Sequence, residues 1–411
     1  MKQLTAYEHR WIEVGEGGEL TQYEAEALSA AENILPGGCL QWGHQRVKFT
    51  QFCGVVQFDD FQVEVLPKLS RHQSEAQQRA TLLTMLTCAG NLQGLDSLDA
   101  GLATSTTSLL DVFIWHFAHV LERQLQQGLL RDYRDIDDNL NQVRGRIDLV
   151  RQHRENLFEP QRVACCYSEL IADIPVNRLL HSALRLAISL ATSSALTQHL
   201  RALRMRFREV GTLAHPELGP TAEQLNRMQR RYAPVVALAH LFLDGQFLNP
   251  RSGPNHAFSL LFDMNRLFER YTASRLRPFA RQKRLNLMEQ GPRDYLGEDE
   301  TGRGRLLMRP DISFLDENKR PLIMFDAKWK LIDNADPLAA LSAADLYQMS
   351  AYASAYGCST IMLLYPEQAD LRAGQLYVLT IASSGARLAL SAVPVDGTVP
   401  AWELITPELL A

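Results

Sequence analysis

Apolar residues in the first seventy positions recur at every second place in short runs: Val47-Lys48-Phe49, Gly54-Val55-Val56-Gln57-Phe58 and Phe61-Gln62-Val63-Glu64-Val65-Leu66. A period of two predicts strands, and Asp59-Asp60 between the last two runs predicts a hairpin turn. Residues 1–70 therefore read as a β-rich N-terminal domain, a small sheet or barrel. After the polar stretch Ser70 to Gln78 the period lengthens. Ala80 to Cys88, Leu109 to Gln127 and Val176 to Arg208 carry apolar residues at helical spacing, with Ser108 placed to cap the second helix and Gly128 to end it. Residues 71–250 are expected to be mostly helical, interrupted where Val143-Arg144-Gly145-Arg146-Ile147-Asp148 turns into a short strand.

Pro250, Gly253 and Pro254 break the pattern and suggest a domain boundary, followed by a helix from about Phe258 to Leu276. Beyond it, Asp311 to Leu315 and Pro321 to Lys328 predict two strands around the polar turn Asp316-Glu317-Asn318-Lys319. A helix at Ala343 to Tyr356 and a buried strand at Ser359 to Tyr365 complete an α/β domain over 251–411. The whole chain is expected to be a multidomain α+β protein.

Composition narrows the class. At 411 residues, 46% hydrophobic and 22% charged, the chain is long enough for two or three domains with cores and too apolar for disorder. Its net charge of −5 excludes a uniformly basic nucleic-acid binder, so any such surface must be local. Six cysteines without CxxC spacing fit reduced thiols, and Glu8 and Glu13 stand where a signal peptide would be apolar. No window reaches the ~18 apolar residues of a membrane span, and the expected location is cytoplasmic with no membrane contact.

The densest chemistry lies in Arg309-Pro310-Asp311-Ile312-Ser313-Phe314 and Leu322-Ile323-Met324-Phe325-Asp326-Ala327-Lys328-Trp329-Lys330. Side chains two apart on a strand share a face, so Asp326 and Lys328 project together. If the two strands pair as a hairpin, Asp311 joins them at one rim. Two carboxylates suit Mg²⁺, which keeps waters for substrate and nucleophile. The lysine would orient or deprotonate a water or stabilise charge on a phosphate. In isolation a D-x-K triplet reads first as a surface ion pair, because charged residues normally end strands at solvent.

The wider context is more specific. A helix bearing Glu269, then Pro310-Asp311, a hairpin, Asp326-Ala327-Lys328, and a helix with Gln348-Met349-Ser350-Ala351-Tyr352 resembles the PD-(D/E)XK nuclease superfamily in its Q-x-x-x-Y variant. Four residues apart, Gln348 and Tyr352 share a helical face. The order of Ser108-Leu109-Leu110-Asp111, Val143 to Asp148, Asn177-Arg178-Leu179-Leu180, Phe262 to Tyr271 and the DAK strand resembles the McrC family, the nuclease subunits of McrBC-type modification-dependent restriction systems. The likeness runs from about residue 80 to 411, and residues 1–70 look like the β-rich extension of some members.

The resemblance implies a Mg²⁺-dependent endonuclease, with Mn²⁺ as a substitute, acting on double-stranded DNA, modified DNA included. Asp311 and Asp326 would bind the metal and Lys328 would position the nucleophile. Glu269 would bind or orient the metal, or else be a solvated helix carboxylate beside Arg270. Gln348 and Tyr352 would support the site. The family docks on a hexameric McrB-like AAA+ GTPase through its middle region and stimulates GTP hydrolysis. No GxxxxGK[ST] loop occurs here, which places GTP on the partner and not on this chain. Between Arg266 and Arg309, eleven basic residues face six acidic ones, a surface suited to phosphates. Arg305 and Arg309 in that run, and Lys330 after the DAK strand, are the candidate DNA contacts. Two rival readings stay open: an adaptor that mainly assembles and stimulates the GTPase ring, and a stand-alone repair or recombination nuclease.

Overall fold

The computed structural model describes residues 1–68, 74–90, 108–215, 219–248, 256–332, 337–339, 341–368 and 371–398. The proposed boundary at Pro250, Gly253 and Pro254, and the start of the polar stretch at Ser70, lie outside them. The chain forms two compact units, one from Met1–Leu109 with Phe247–Ala411 and one from Leu110–Gln246.

The N-terminal segment holds β1 (Lys2–Tyr7), β2 (Ile12–Glu13), α1 (Gln22–Ala31), β3 (Leu40–Gly43), β4 (Arg46–Phe49), β5 (Phe52–Gln57), β6 (Phe61–Leu66) and α2 (Glu75–Cys88). The hairpin expected around Asp59-Asp60 forms, pairing β5 with β6 antiparallel from Gly54 opposite Val65 to Gln57 opposite Gln62. Both strands are buried throughout. Val56, Val63 and Val65 pack with Leu28, Val47 and Phe49 in one core.

The middle unit begins at α3 (Leu109–Leu125) and continues through β7 (Asp132–Leu140), β8 (Arg146–Ile147), α4 (Leu149–Glu155), β9 (Val163–Ile171), α5 (Pro175–Leu190), α6 (Ser194–Arg204) and α7 (Ala233–Asp244). The expected long helix over Val176 to Arg208 is two helices. Buried Asp111 explains the break: its carboxylate accepts from Thr192 N at 2.9 Å, Thr192 Oγ1 at 2.5 Å and Ser193 N at 3.1 Å, satisfying backbone where one helix ends and the next begins. This region is also less helical than expected, because β7, β8 and β9 form a sheet in the order β7-β9-β8. The β7 sequence, DYRDIDDNL, is polar on both faces and largely exposed, so no apolar alternation announces it.

Several motifs that carried the resemblance act here as structural joints. Buried Asn177 donates to the carbonyls of Leu130 and Ala172 at 2.8 and 2.7 Å. Gly145 turns left-handed, φ +69°, where a Cβ would stand 2.5 Å from Cys166 O.

The last segment holds β10 (Gln246–Leu248), β11 (His256–Asp263), α8 (Met264–Gln282), β12 (Asn286–Glu289), β13 (Asp294–Glu298), β14 (Gly304–Met308), β15 (Ile312–Leu315), β16 (Pro321–Ala327), α9 (Ala343–Tyr356), β17 (Thr360–Pro366), β18 (Tyr377–Thr380) and β19 (Arg387–Val393). The helix expected from Phe258 is a strand up to Asp263 and a helix only from Met264. Residues Phe258 to Asp263 pair antiparallel with β5, and Asp263 caps the helix by accepting from Asn265 N and Arg266 N at 2.9 and 3.3 Å.

That strand changes the domain organisation. The sheet β1-β6-β5-β11-β10 joins the N-terminal strands to residues 246–263, so the expected division into 1–70, 71–250 and 251–411 gives way to a joint unit of N- and C-terminal segments. Gly54 permits the junction: at φ +141°, a Cβ there would stand 1.9 Å from Leu260 O. A six-stranded sheet, β12-β15-β16-β17-β19-β18, carries the remaining C-terminal elements, with β16-β17-β19 parallel and the flanking pairs antiparallel. Its central strands β16 and β17 are almost wholly buried, as a parallel core requires. Among the described residues no helix is long and apolar enough to cross a membrane.

Candidate active site

The hairpin of β15 and β16 places the carboxylates. Ile312 pairs with Phe325, so Asp311 and Asp326 come next on their strands at the same end of the ladder. Asp311 Oδ2 accepts from Ala327 N at 2.9 Å. Asp326, 2% exposed, has its Oδ2 2.6 Å from Lys328 Nζ, and no aligned donor among the described residues satisfies that oxygen. Lys328 continues the edge by donating its backbone N–H to Leu364 O at 2.8 Å.

From the other side, α8 supplies Glu269 and α9 supplies Gln348 and Tyr352. Gln348 Oε1 accepts from Lys328 Nζ at 3.0 Å while its Nε2 donates to Tyr352 OH at 2.9 Å. The relay Tyr352–Gln348–Lys328–Asp326 fixes an otherwise mobile ammonium. The helix face proposed from spacing is thus the face turned to the site.

Two residues not singled out from the sequence join the cluster. Gln290 donates its backbone N–H to Asp311 O at 2.7 Å and its Nε2 to Glu269 Oε2 at 2.8 Å and Asp311 Oδ1 at 3.4 Å. Asp345, in the first turn of α9, accepts from Lys330 Nζ at 2.8 Å and lies 3.9 Å from Lys328 Nζ. Asp345, Gln348 and Tyr352 at i, i+3 and i+7 were a legible stripe. Gln290 had no signal, because its role depends on a turn that meets Asp311 only in three dimensions.

The electrostatics are those of an anionic centre short of positive charge. Burial, then Asp326 and Glu269, push the Asp311 carboxyl up to about 8 against the pull of Ala327 N–H and Lys328. Burial likewise raises Asp326, with Lys328 opposing. Glu269 is raised by burial and by Asp326 and Asp263, while Arg309 and Arg266 counter it. Burial disfavours the Lys328 charge, yet Asp326, Asp345 and Asp311 hold its pKa above the usual value, so Lys328 is a cation at neutral pH.

A divalent cation fits this donor set. Burial raises all three carboxylates, Asp326 and Glu269 raise Asp311 further and Asp326 raises Glu269, and hard oxygens are the ligands Mg²⁺ prefers. The side chains are not closed around a common point: among the described residues no three His, Cys, Asp or Glu groups stand at metal-holding geometry, and Lys328 occupies one Asp326 oxygen.

The predicted DNA contacts are placed differently. Arg309 is exposed and acts on Glu269. Lys330 pairs with Asp345. Arg305 lies on the separate β13-β14 hairpin, tied to Asp299 at 2.7 Å, and the structure does not bring it into the cluster.

Comparison with known proteins settles the family. A profile described as "McrBC 5-methylcytosine restriction system component" matches residues 47–366, more than three quarters of the chain. The chain belongs to the McrBC family. The match starts inside the β-rich N-terminal region rather than near residue 80, in keeping with the sheet shared by both segments. No curated protein matches. Among solved structures, one described as a half-complex of Thermococcus gammatolerans McrB AAA+ hexamers with bound McrC is similar over 97% of this chain and 97% of that one, at 18% identity and TM-score 0.76. A second, the Thermococcus gammatolerans McrBC complex, is similar over 67% of this chain and 87% of that one, at 20% identity and TM-score 0.53. At such identity these likenesses show a shared fold.

Proposed function

We propose that this McrBC-family chain is the DNA endonuclease subunit of its restriction system, a PD-(D/E)XK-type enzyme dependent on Mg²⁺ or, in substitution, Mn²⁺. The observation that carries the reading is the convergence of Asp311, Asp326, Glu269 and a cationic Lys328 on one rim, with Gln348 and Tyr352 behind the lysine. Asp311 and Asp326, with Glu269 directly or through Gln290, would hold the metal. Bound there, it would supply Lewis acidity and a lowered pKa for water. Lys328 holds positive charge where a phosphate oxygen or attacking water sits. Gln348 and Tyr352 keep its Nζ from collapsing wholly onto Asp326. Arg309 and Lys330 are cationic groups beside the centre for the flanking phosphates.

The reading includes a partner, an McrB-like AAA+ GTPase hexamer that binds GTP, recognises modified double-stranded DNA and is stimulated by this chain. The neighbouring complexes of McrB with McrC, and the absence of a P-loop here, support it. So does the middle unit, where Leu149, Val150 and Phe158 are 75%, 76% and 92% exposed; apolar groups so exposed mark contact surfaces. The same feature favours the second reading, an adaptor for the GTPase ring.

The test is cleavage of methylated and unmethylated plasmid by wild type and Asp326→Ala, each with and without the GTPase and GTP. Cutting by wild type only in the full mixture is expected. Cutting by Asp326→Ala would overturn the site, cutting by the isolated chain would point to an autonomous nuclease, and stimulated GTP turnover without cutting would leave the adaptor.

A further inference from the structure

The residues that follow Lys328 lead from the rim to a cavity of about 260 Å³. Trp329, Lys330 and Leu331 line one side, and Glu8, His9 and Lys68 from the N-terminal segment line the other. It is smaller than the ~300–1,000 Å³ of drug-sized ligand sites and suits one nucleotide unit of a chain.

Its floor is built. Trp329 Nε1 donates to both oxygens of Glu8 at 2.9 and 3.1 Å, and Lys68 N donates to Glu8 Oε1 at 3.0 Å. Phe268, one residue before Glu269, packs on the indole with centroids 5.4 Å apart. Glu8 is 3% exposed, and its oxygens are used in holding the indole.

The rim is basic and exposed. Lys330 shares Asp345 with Lys328, which links cavity and reacting centre through one carboxylate. The Lys68 ammonium makes no ion pair among the described residues. His9 is pushed below its usual pKa chiefly by burial and secondarily by Lys48 and Lys68, and its imidazole keeps an N–H to donate beside the Lys68 ammonium.

We propose that this cavity is a subsite for the DNA backbone flanking the scissile phosphate, with Lys68 and His9 of the N-terminal segment contacting the neighbouring phosphate. The inference rests on the nuclease reading and deepens it. It gives the N-terminal β-rich segment a task in substrate binding as well as in building the sheet.

The experiment scans methylphosphonate, a neutral linkage, through positions on each side of the cut in oligonucleotide duplexes, with the full chain, GTPase, Mg²⁺ and GTP. Wild type should show a KM about 3–10-fold higher at one flanking position with kcat unchanged. Lys68→Ala should show the same rise on unmodified DNA and no further rise with methylphosphonate there, and its log KM against log salt slope should fall by about 1. Lys68→Arg should restore binding, and Lys319→Ala, at the turn end of the β15-β16 hairpin opposite the carboxylates, should behave as wild type. Additive losses from Lys68→Ala and every methylphosphonate position would overturn the subsite while leaving the nuclease reading intact. Absence of cutting by wild type would remove the nuclease reading and the subsite with it.

Discussion

The candidate active site and the β7–β9 region of the middle unit distribute polarity in opposite ways. At the site, a buried Asp326 and a half-buried Asp311, Glu269 and Lys328 gather at the end of an apolar strand, where desolvation amplifies the charges. In the middle unit, charges line an exposed sheet, and Leu149, Val150 and Phe158 stand in water with α4 burying no residue. A protein tolerates buried like charges when a ligand or cation balances them, and exposed apolar groups when another surface covers them. On the proposed function, the first region would serve chemistry and the second contact.

The sharpest way to break this contrast is Asp326→Ala. Cleavage should fall by about three orders of magnitude or more, the several kcal/mol a metal contributes, with the circular dichroism spectrum unchanged. A folded variant that still cuts would place the chemistry elsewhere.

Gln348→Ala should cost about 10–100-fold in cleavage rate, as loss of a group orienting a reactive one does, with little change in KM. Steady-state kinetics would show whether the loss falls on KM instead, which would make Gln348 a DNA contact.

On the contact side, Phe158→Ser and Leu149→Ser should each weaken stimulation of the partner's GTP turnover, about 5–10-fold in half-maximal concentration for ~1 kcal/mol of lost burial. Melting temperature should stay constant, because neither side chain is packed. Unchanged stimulation would refute the docking role.

The smallest effect concerns pH. Asp311 ionises near pH 4 when unfolded and at about 8 in the fold, so the native state binds the extra proton between those values. The stability contributed by Asp311 is therefore fully present below about pH 4 and is lost as pH rises through about 8. Melting curves of metal-free protein should shift down over this window, Mg²⁺ should reverse the shift most at its upper end, and Asp326→Asn should flatten it. A metal-free melting temperature that rises with pH would contradict the mutual repulsion of these carboxylates.

Much of the site was legible in linear order. Asp326 and Lys328 two apart, Asp311 one hairpin away, and Gln348 with Tyr352 one helical turn apart all follow from backbone periodicity, and the structure joins them as those periods require. Asp345 lay on the same stripe unread. Gln290, Glu8 and Trp329 were not legible, because each acts through a partner 21 or more residues away. The strand at 256–263 was misread as helix for a related reason: a short apolar run fits either period, and pairing with β5 decides it.

Local spacing by itself determined the hairpin of β5 and β6, the α9 helix, the DAK strand and the pairing of Asp326 with Lys328 at its end, since these depend on neighbours within a few residues. Only the tertiary structure decided that the N-terminal strands share a sheet with residues 246–263, that Glu8 braces Trp329 beside the carboxylate rim, and that three carboxylates are pushed above their ordinary solution range. Pairing over long sequence distance and burial are properties of the folded whole, and no local period encodes them.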